Sequence, residues 1–398
     1  MGYTKRSIEP KIQAALNRGK SVLLTGPRQT GKTTLLAQQI KSSRAINFAD
    51  PALRLQYEMS PDLLKAEVEA MQPEKDRTMP LLVLDEIQKV PLLMDTIQLL
   101  IDNKQAQFIL TGSSVRKLKR TKDINLLPGR IIGLHLDPLS LLEMPKIPEI
   151  EKLLLYGSLP NIFFEKNTQY QEEDLKNYVV NYLEEEIRAE AMVRNIGSFA
   201  RFLECAALEL GQPVNMEKIS QDIGVKRNTI VDYYQILEDC LIINRIEPIT
   251  RSSSRHRLTK ASKYLFFDLG VRRLCARQGS QLSAKTLANL FEQLVGMELL
   301  RYLHVFTLNG KLRYWRDHNG PEIDYVIDIH NKYIPIEAKW TSRPDAKDAV
   351  HLELFLKEYD CYEKAYIICQ CKTQFKLTDR VIALPWQELS RLSQEFLL

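Results

Sequence analysis

The sequence predicts an α/β protein of more than one domain, and three observations carry that expectation. Residues 1–140 alternate short apolar strands with amphipathic helices. A glycine-rich turn, "GPRQTGKT" at 26–33, stands between one such strand and one such helix. Near the other end, "PEIDYVIDIHNKYIPIEAKW" (321–340) alternates apolar and polar residues on both sides of a short turn, the pattern of a two-faced hairpin. With 398 residues the chain is long for one domain and suits roughly two to four separate cores.

Taken in order, "SVLLTG" (21–26), "AINFAD" (45–50), "LLVLDE" (81–86) and "FILTGS" (108–113) read as strands, with helices beginning at Lys32, near Ser60 and near Pro91. Residues 150–210 are mostly helical, and "EEDLKNYVVNYLEEEIRAEA" (172–191) is their longest amphipathic element. From 212 to 270 the pattern is short helix, turn, helix, then strands. The last stretch opens with the helix "LANLFEQLVGMELLRYL" (287–303) and returns to α/β alternation. The expected division is an α/β domain over 1–150, a helical connector over 151–210, a winged helix-turn-helix over 211–275 and a second α/β domain over 276–398.

Composition narrows the class. Charged residues make up 26% and hydrophobic ones 44%, ordinary for a soluble protein. Apolar runs such as "LLVL" (81–84) are too short to span a bilayer, so no membrane partner is expected. "MGYTKRSIEPK" lacks an apolar signal core, and Arg6 stands where a myristoylation signal needs Ser or Thr, so a cytoplasmic location is expected. The six cysteines form no CxxC pair and argue against a zinc ribbon or a disulfide framework. The net charge of +5 decides little without knowing where the basic residues gather.

The glycine-rich turn has the residues a phosphate cradle needs. Gly26 and Gly31 let successive backbone N–H groups turn inward, and the helix that follows adds its positive end. Lys32 supplies a point charge for the β- and γ-phosphates, and the Thr33 hydroxyl is placed to ligate Mg²⁺. The candidate set for ATP is Gly26, Pro27, Arg28, Gln29, Thr30, Gly31, Lys32, Thr33 and Thr34. In "LLVLDEIQ" (81–88), Asp85 would join the Mg²⁺ shell and Glu86 would deprotonate the attacking water. The strand "FILTGSS" ends in Thr111, Ser113 and Ser114, where a γ-phosphate sensor stands, and Thr111 is preferred. That strand suggests the branch with a strand inserted between the two motif strands. Hydrolysis also needs a cation on the leaving phosphate, often from a neighbouring subunit; Arg130 in "LLPGR" is the first candidate, then Arg116 and Arg28. An arginine given in trans predicts a homo-oligomer, a ring being one form.

"LLTGPRQTGKTTL", "LDEIQKVP", "FILTGSS", "LPGR", "LDPLSLLE" and "YGSLP" together resemble the AAA-type ATPases that carry a C-terminal DUF4143 domain. The resemblance covers nearly the whole chain. It implies a P-loop NTPase domain of the AAA (ASCE) type, ATP hydrolysis and a nuclease-like C-terminal fold. One departure is Pro128, where a small residue such as alanine is expected before Gly129-Arg130.

Between these ends, "VNMEKISQDIGVKRNTIVDYYQILEDCLIINRIEP" (214–248) has the shape of a helix-turn-helix. Ile219, Ile223, Ile230, Tyr234 and Leu237 face inward, and Lys226, Arg227, Asn228 and Thr229 stand at the start of the second helix, where a groove-reading helix presents side chains. The basic run after it, with Arg251, Arg255 and Arg257, fits a wing touching phosphates, which makes DNA the expected partner. Winged helices also serve as protein–protein modules, and a basic loop is often only solvated.

The hairpin of 321–340 puts Asp324, Glu337 and Lys339 on one face and the apolar set on the other. With the turn centred on Asn331-Lys332, Asp324 faces Lys339 and Val326 faces Glu337. This resembles the restriction-endonuclease-like PD-(D/E)xK arrangement, which implies Mg²⁺ ligands at Asp324 and Glu337, water activation by Lys339, and a further ligand at Glu292 on the preceding helix. The competing reading is an ordinary hairpin with charges on its wet face and a cross-strand ion pair. The leading function is thus an ATP-dependent DNA-processing protein. Its rival is a nucleotide-gated signalling or scaffold protein whose C-terminal module binds a protein and cuts nothing.

Overall fold

A computed structural model describes residues 3–71, 79–112, 129–183, 196–209, 211–250, 252, 258–307, 309–318 and 320–396. The chain separates into two compact units, Met1–Leu139 with Asp239–Leu241, and Ser140–Glu238 with Ile242–Leu398.

The first unit runs α1 (Glu9–Asn17), β1 (Ser21–Thr25), α2 (Lys32–Gln39), β2 (Arg44–Asn47), α3 (Pro51–Met59), α4 (Leu63–Ala70), β3 (Leu81–Asp85), α5 (Leu93–Asp102), β4 (Gln107–Gly112) and β5 (Ile131–His135). Its five strands are all parallel, in the order β2-β3-β4-β1-β5. The inserted strand inferred from the sequence is therefore present: β4 lies between β1 and β3. Both β3 and β4 are buried along their whole length, which is why they read as unbroken apolar runs. Parallel pairing brings Thr25, Asp85 and Gly112 to one edge of the sheet, where the loop after β1 also lies. The strand expected to reach Asp50 stops at Asn47, because Asp50 caps a helix instead. Its carboxylate accepts from Ala52 N at 2.8 Å, and Pro51 fills the first helical position.

The second unit begins with helices α6 (Ile150–Tyr156), α7 (Pro160–Phe164), α8 (Thr168–Asn177), α9 (Ile196–Leu208), α10 (Met216–Ile223) and α11 (Arg227–Asp239). The long helix expected over 172–191 is interrupted, since α8 gives way to a wider π-helical turn at Tyr178–Leu183, and 184–191 lie outside the described residues. Strands β6 (Ile243–Pro248) and β7 (Lys263–Phe266) form an antiparallel wing. After α12 (Leu269–Cys275) and α13 (Ala284–Phe306) come β8 (Gly310–Arg316), β9 (Glu322–Ile329), β10 (Lys332–Ala338), α14 (Val350–Glu358), β11 (Ala365–Cys369), β12 (Phe375–Lys376) and β13 (Val381–Pro385). A 3₁₀ stretch, Trp386–Phe396, ends the fold. One mixed sheet holds all eight strands in the order β12-β13-β11-β10-β9-β8-β6-β7. The wing is therefore continuous with the C-terminal sheet, through β6 lying parallel to β8. Helix α14 covers one face of that sheet, packing Leu352, Phe355 and Leu356 against Trp315, Val326, Ile367 and Ala383.

The β9–β10 register corrects the sequence-based pairing. Lys332 faces Ile329, Ile334 faces Ile327 and Ile336 faces Tyr325, so the turn is centred on His330-Asn331 rather than on Asn331-Lys332. Both turn residues take positive φ, 54° and 65°, as a two-residue hairpin turn of the primed kind requires. The register carries Glu337, not Lys339, to the place opposite Asp324. Beyond Tyr325 the ladder is irregular, Arg313 facing Val326 but Trp315 facing Ile323, so the register alone does not set the face of Asp324.

Candidate functional site

In the first unit the loop between β1 and α2 is held from three sides. Gly26 has φ 154°, and a Cβ there would lie 2.2 Å from the Leu136 carbonyl, so only glycine fits against the chain leaving β5. Lys32 is buried, its ammonium donating to the carbonyls of Gly26 at 2.7 Å and Pro27 at 2.8 Å. Thr30 is buried and bonds the Pro27 carbonyl at 3.0 Å. Arg28 and Gln29 are half-buried and Thr34 is exposed at the start of α2.

The acidic residues after β3 meet this loop. Thr33 Oγ1 donates to Asp85 Oδ2 at 2.8 Å, and Thr111 Oγ1 donates to the other Asp85 oxygen. The same Thr111 hydroxyl accepts from Glu86 N at 3.0 Å. Glu86 adopts a left-handed backbone with φ 59°, and its carboxylate accepts from the Gln88 amide. Four of the sequence-derived residues, Thr33, Asp85, Glu86 and Thr111, are thus one hydrogen-bonded network. Arg130 is not part of it. It precedes β5, pairs with Asp102, and its carbonyl receives Ser21 N at the start of β1. That is the opposite edge of the sheet, a strand length or roughly 16 Å from the loop. Arg116, Ser113 and Ser114 lie outside the described residues.

Sequence reasoning missed Arg6. Its guanidinium is buried and donates to Thr30 O at 2.7 Å and Asp137 O at 2.6 Å, tying the segment before α1 to the phosphate loop and to the chain after β5. Nearby, His135 bridges Thr25 Oγ1 at 3.4 Å and Asp137 Oδ1 at 3.3 Å. Nothing in "KRSIEP" marks such an arginine, since a basic residue ahead of a helix is ordinarily solvated.

In the second unit α10 and α11 form the expected helix-turn-helix, with Asn215 capping α10 and Gly224 turning the chain at φ 78°. Ile219, Ile223, Ile230, Tyr234 and Leu237 are buried. Lys226, Arg227 and Asn228 are exposed at the start of α11, Thr229 is half-buried, and Arg227 pairs with Glu217 at 2.9 Å. Tyr234 stacks on Tyr264 of β7 with ring centres 4.3 Å apart, which fastens α11 to the wing. Arg251, Arg255 and Arg257 lie outside the described residues.

The hairpin carboxylates are covered. Asp324 is 9% exposed and Glu337 3%, so the wet-face reading of this hairpin does not hold. Asp324 Oδ2 accepts from Ala338 N at 2.9 Å, and Glu337 Oε2 lies 3.6 Å from Lys339 Nζ. Glu292 of α13 approaches the same place and pairs with Lys263 Nζ at 3.4 Å. Burial and then the Asp324 charge push Glu292 up to about 8, and the same two causes, in the same order, raise Glu337 well above the carboxylate range. Burial pulls the Lys339 ammonium down, but Glu337, Asp324 and Asp348 together outweigh it and leave it raised. Tyr325 Oη, buried beside Glu292 and Asp324, has no hydrogen-bond partner among the described residues. The carboxylates of Glu292, Asp324 and Glu337 are oxygen donors of the type a hard divalent cation takes. They do not all close to within 4.8 Å of one another.

Family comparison now bears on both units. Residues 18–144 match the AAA domain model AAA_14, and residues 287–389 match DUF4143, a domain of unknown function. The chain has the AAA–DUF4143 architecture. Between the AAA and DUF4143 domains, residues 147–282 match a further domain of unknown function, DUF8612, which takes in the helix-turn-helix and the wing. The uncharacterized protein Rv2008c of Mycobacterium tuberculosis is 23% identical over 395 residues, covering 97% of this chain and 84% of that protein. The uncharacterized protein MJ1637 of Methanocaldococcus jannaschii is 25% identical over 347 residues, covering 75% and 71%. Among solved structures, the Aeropyrum pernix ORC1 protein in complex with DNA is a loose likeness, with TM-score 0.29, 13% identity and coverage of 72% of this chain and 93% of that one. The AAA domain is a P-loop fold with a parallel α/β sheet, and no helix among the described residues is long and apolar enough to cross a membrane.

Proposed function

We propose that this AAA–DUF4143 protein hydrolyses ATP with Mg²⁺ and acts on DNA, through the helix-turn-helix as reader and the carboxylate cluster of the DUF4143 domain as a phosphodiester-cleaving site. The observation that carries the ATPase half is the network joining Thr33, Asp85, Thr111 and Glu86 beside the phosphate loop. Bound between nucleotide and protein, Mg²⁺ neutralises charge on the phosphates. Thr33 and Asp85 would hold it, Lys32 would leave the Gly26 and Pro27 carbonyls for the phosphates, and the loop N–H groups would cradle them. Glu86 takes the proton of the attacking water, and Thr111 aligns Glu86 with Asp85. Arg130, remote from the loop of its own chain, suits only a neighbouring subunit's nucleotide, which keeps a homo-oligomer within the proposal.

For the DNA half, Lys226, Arg227, Asn228 and Thr229 are the reading residues. Glu292, Asp324 and Glu337 would hold a divalent ion and Lys339 would orient the water. The order helix α13, antiparallel β8-β9-β10, helix α14 and parallel β11 agrees with the nuclease-like resemblance. A second reading keeps a foothold: Lys263 and Lys339 already pair with two of the three acids, as a scaffold module without cleavage would have them. One set of samples separates the two. ATP turnover is measured with and without single-stranded, duplex and branched DNA, and cleavage is followed in Mg²⁺ or Mn²⁺. DNA-stimulated turnover with cleavage lost in Glu337→Ala supports the proposal; turnover indifferent to every DNA, with identical cleavage by wild type and variant, overturns its DNA half.

A further inference from the structure

We infer that Lys263, from the wing, is a resident counter-ion that occupies the carboxylate cluster in place of a divalent cation, so that ion binding requires the lysine to release Glu292. The inference rests on the cation-site reading of Glu292, Asp324 and Glu337 and adds a regulator that no motif of that site contains. The Lys263 side chain is 4% exposed, and its ammonium stands 3.4 Å from Glu292 Oε1. A buried ammonium is tolerated only beside compensating charge, and here the acids provide it. Lys339 differs: its side chain is 38% exposed, so it can turn to water, whereas Lys263 is enclosed.

The surroundings leave Glu292 little freedom to serve both cations. Gly211 backs its carboxylate so closely that a Cβ there would lie 2.7 Å from Oε1. Retreat on that side is closed. A divalent ion on Glu292 would also meet the lysine charge at close range, where like charges in a buried site repel strongly. Lys263 has another partner in reach, the ring of Tyr314, whose centre is 4.9 Å from Nζ and which can hold an ammonium over its face. The next residue, Tyr264, stacks on Tyr234 of the reading helix α11. A shift of Lys263 along β7 is thereby felt at the helix that would touch DNA, and the converse holds by linkage.

The test uses the full-length, nucleotide-free protein and Mn²⁺ itself, with bound ion counted by electron paramagnetic resonance. Glu337→Ala defines the signal belonging to the cluster. Removing the lysine charge in Lys263→Met, or in Lys263→Gln should the first variant fold poorly, is expected to tighten that component by about tenfold or more, while Lys263→Arg stays near wild type. In the unsubstituted protein, Mn²⁺ should also raise the reactivity of Lys263 toward acetic anhydride several-fold, and should not do so in Glu337→Ala. If the Glu337-dependent ion binds equally or more weakly without the lysine charge, or the labelling of Lys263 is unmoved by Mn²⁺, the inference falls and the cation site stands. If no Glu337-dependent ion binds to any of these proteins, both fall together.

Discussion

Thr33 Oγ1 and Asp85 Oδ2 are 2.8 Å apart, so the hydroxyl and the carboxylate that would share one Mg²⁺ already hold each other across the phosphate loop and β3. Their partner Thr111 fixes the other Asp85 oxygen and receives the Glu86 backbone. The network implies a division of labour that substitutions can separate. Lys32→Ala should abolish ATP hydrolysis and weaken nucleotide binding. Glu86→Gln should bind nucleotide at near wild-type affinity yet lose about 10²–10⁴-fold in turnover, the usual worth of a general base. Phosphate release and a fluorescent-nucleotide titration on the same preparations check both, and a fully active Glu86→Gln protein would contradict the assignment.

Arg6 gives a prediction that no motif would suggest. Its two carbonyl partners, Thr30 and Asp137, belong to the loop and to the chain after β5. Arg6→Ala leaves both carbonyls without that donor in a buried place, at a cost of about 1–3 kcal/mol each where water cannot replace it. Unfolding temperature should drop and nucleotide affinity should weaken together. Arg6→Lys should restore little, because a single ammonium lacks the planar fork that reaches both oxygens. Thermal unfolding with and without ATP measures the two effects; a lysine variant equal to wild type would place the role in charge alone.

The contrast between these residues explains what the sequence could disclose. Strands β3 and β4 are wholly buried parallel strands, so their apolar runs and the polar residues near their ends, Asp85 and Thr111, stand out in the sequence. Alternation likewise pointed to a hairpin at 321–340, which β9 and β10 form. It could not fix the register, which depends on positive φ at His330 and Asn331. Nor could it say whether the polar face was wet. That depends on α13 bringing Glu292, and on a wing lysine far upstream in the chain. Arg6 was hidden for the same reason: its partners are backbone carbonyls brought close only by the fold.

The helix-turn-helix makes a salt-dependent claim. Lys226 and Arg227 are exposed at the start of α11 rather than packed, and the proposal has them meet DNA. Lys226→Glu with Arg227→Glu should lower DNA affinity and reduce the slope of log affinity against log salt by about one for each phosphate no longer neutralised. Thermal stability should hardly change, since the Arg227–Glu217 pair is exposed on both sides. Filter binding across a salt series decides it, and an affinity that ignores both salt and the double substitution would remove DNA reading from α11.

The last prediction concerns protons in the metal-free protein. Glu292, raised from an ordinary 4.5 to about 8, binds its proton more tightly in the folded chain than in the unfolded one, and Glu337 is displaced in the same direction. Such groups stabilise the fold fully below the unfolded value and lose that contribution as pH climbs through the folded one. In the presence of chelator, the second unit should therefore unfold at progressively lower temperature between about pH 5 and about pH 9, by several degrees on the scale of about 2–4 °C per kcal/mol. Glu292→Gln removes one of the buried charges and should flatten the curve. Mg²⁺ or Mn²⁺ should restore stability chiefly at the alkaline end, where the carboxylates are free to ligate. Calorimetric scans at several pH values, with chelator and with metal, measure the slope. Stability that rises with pH over this window, or a Glu292→Gln protein with the same slope as wild type, would show that the three acids do not share a charge problem at all.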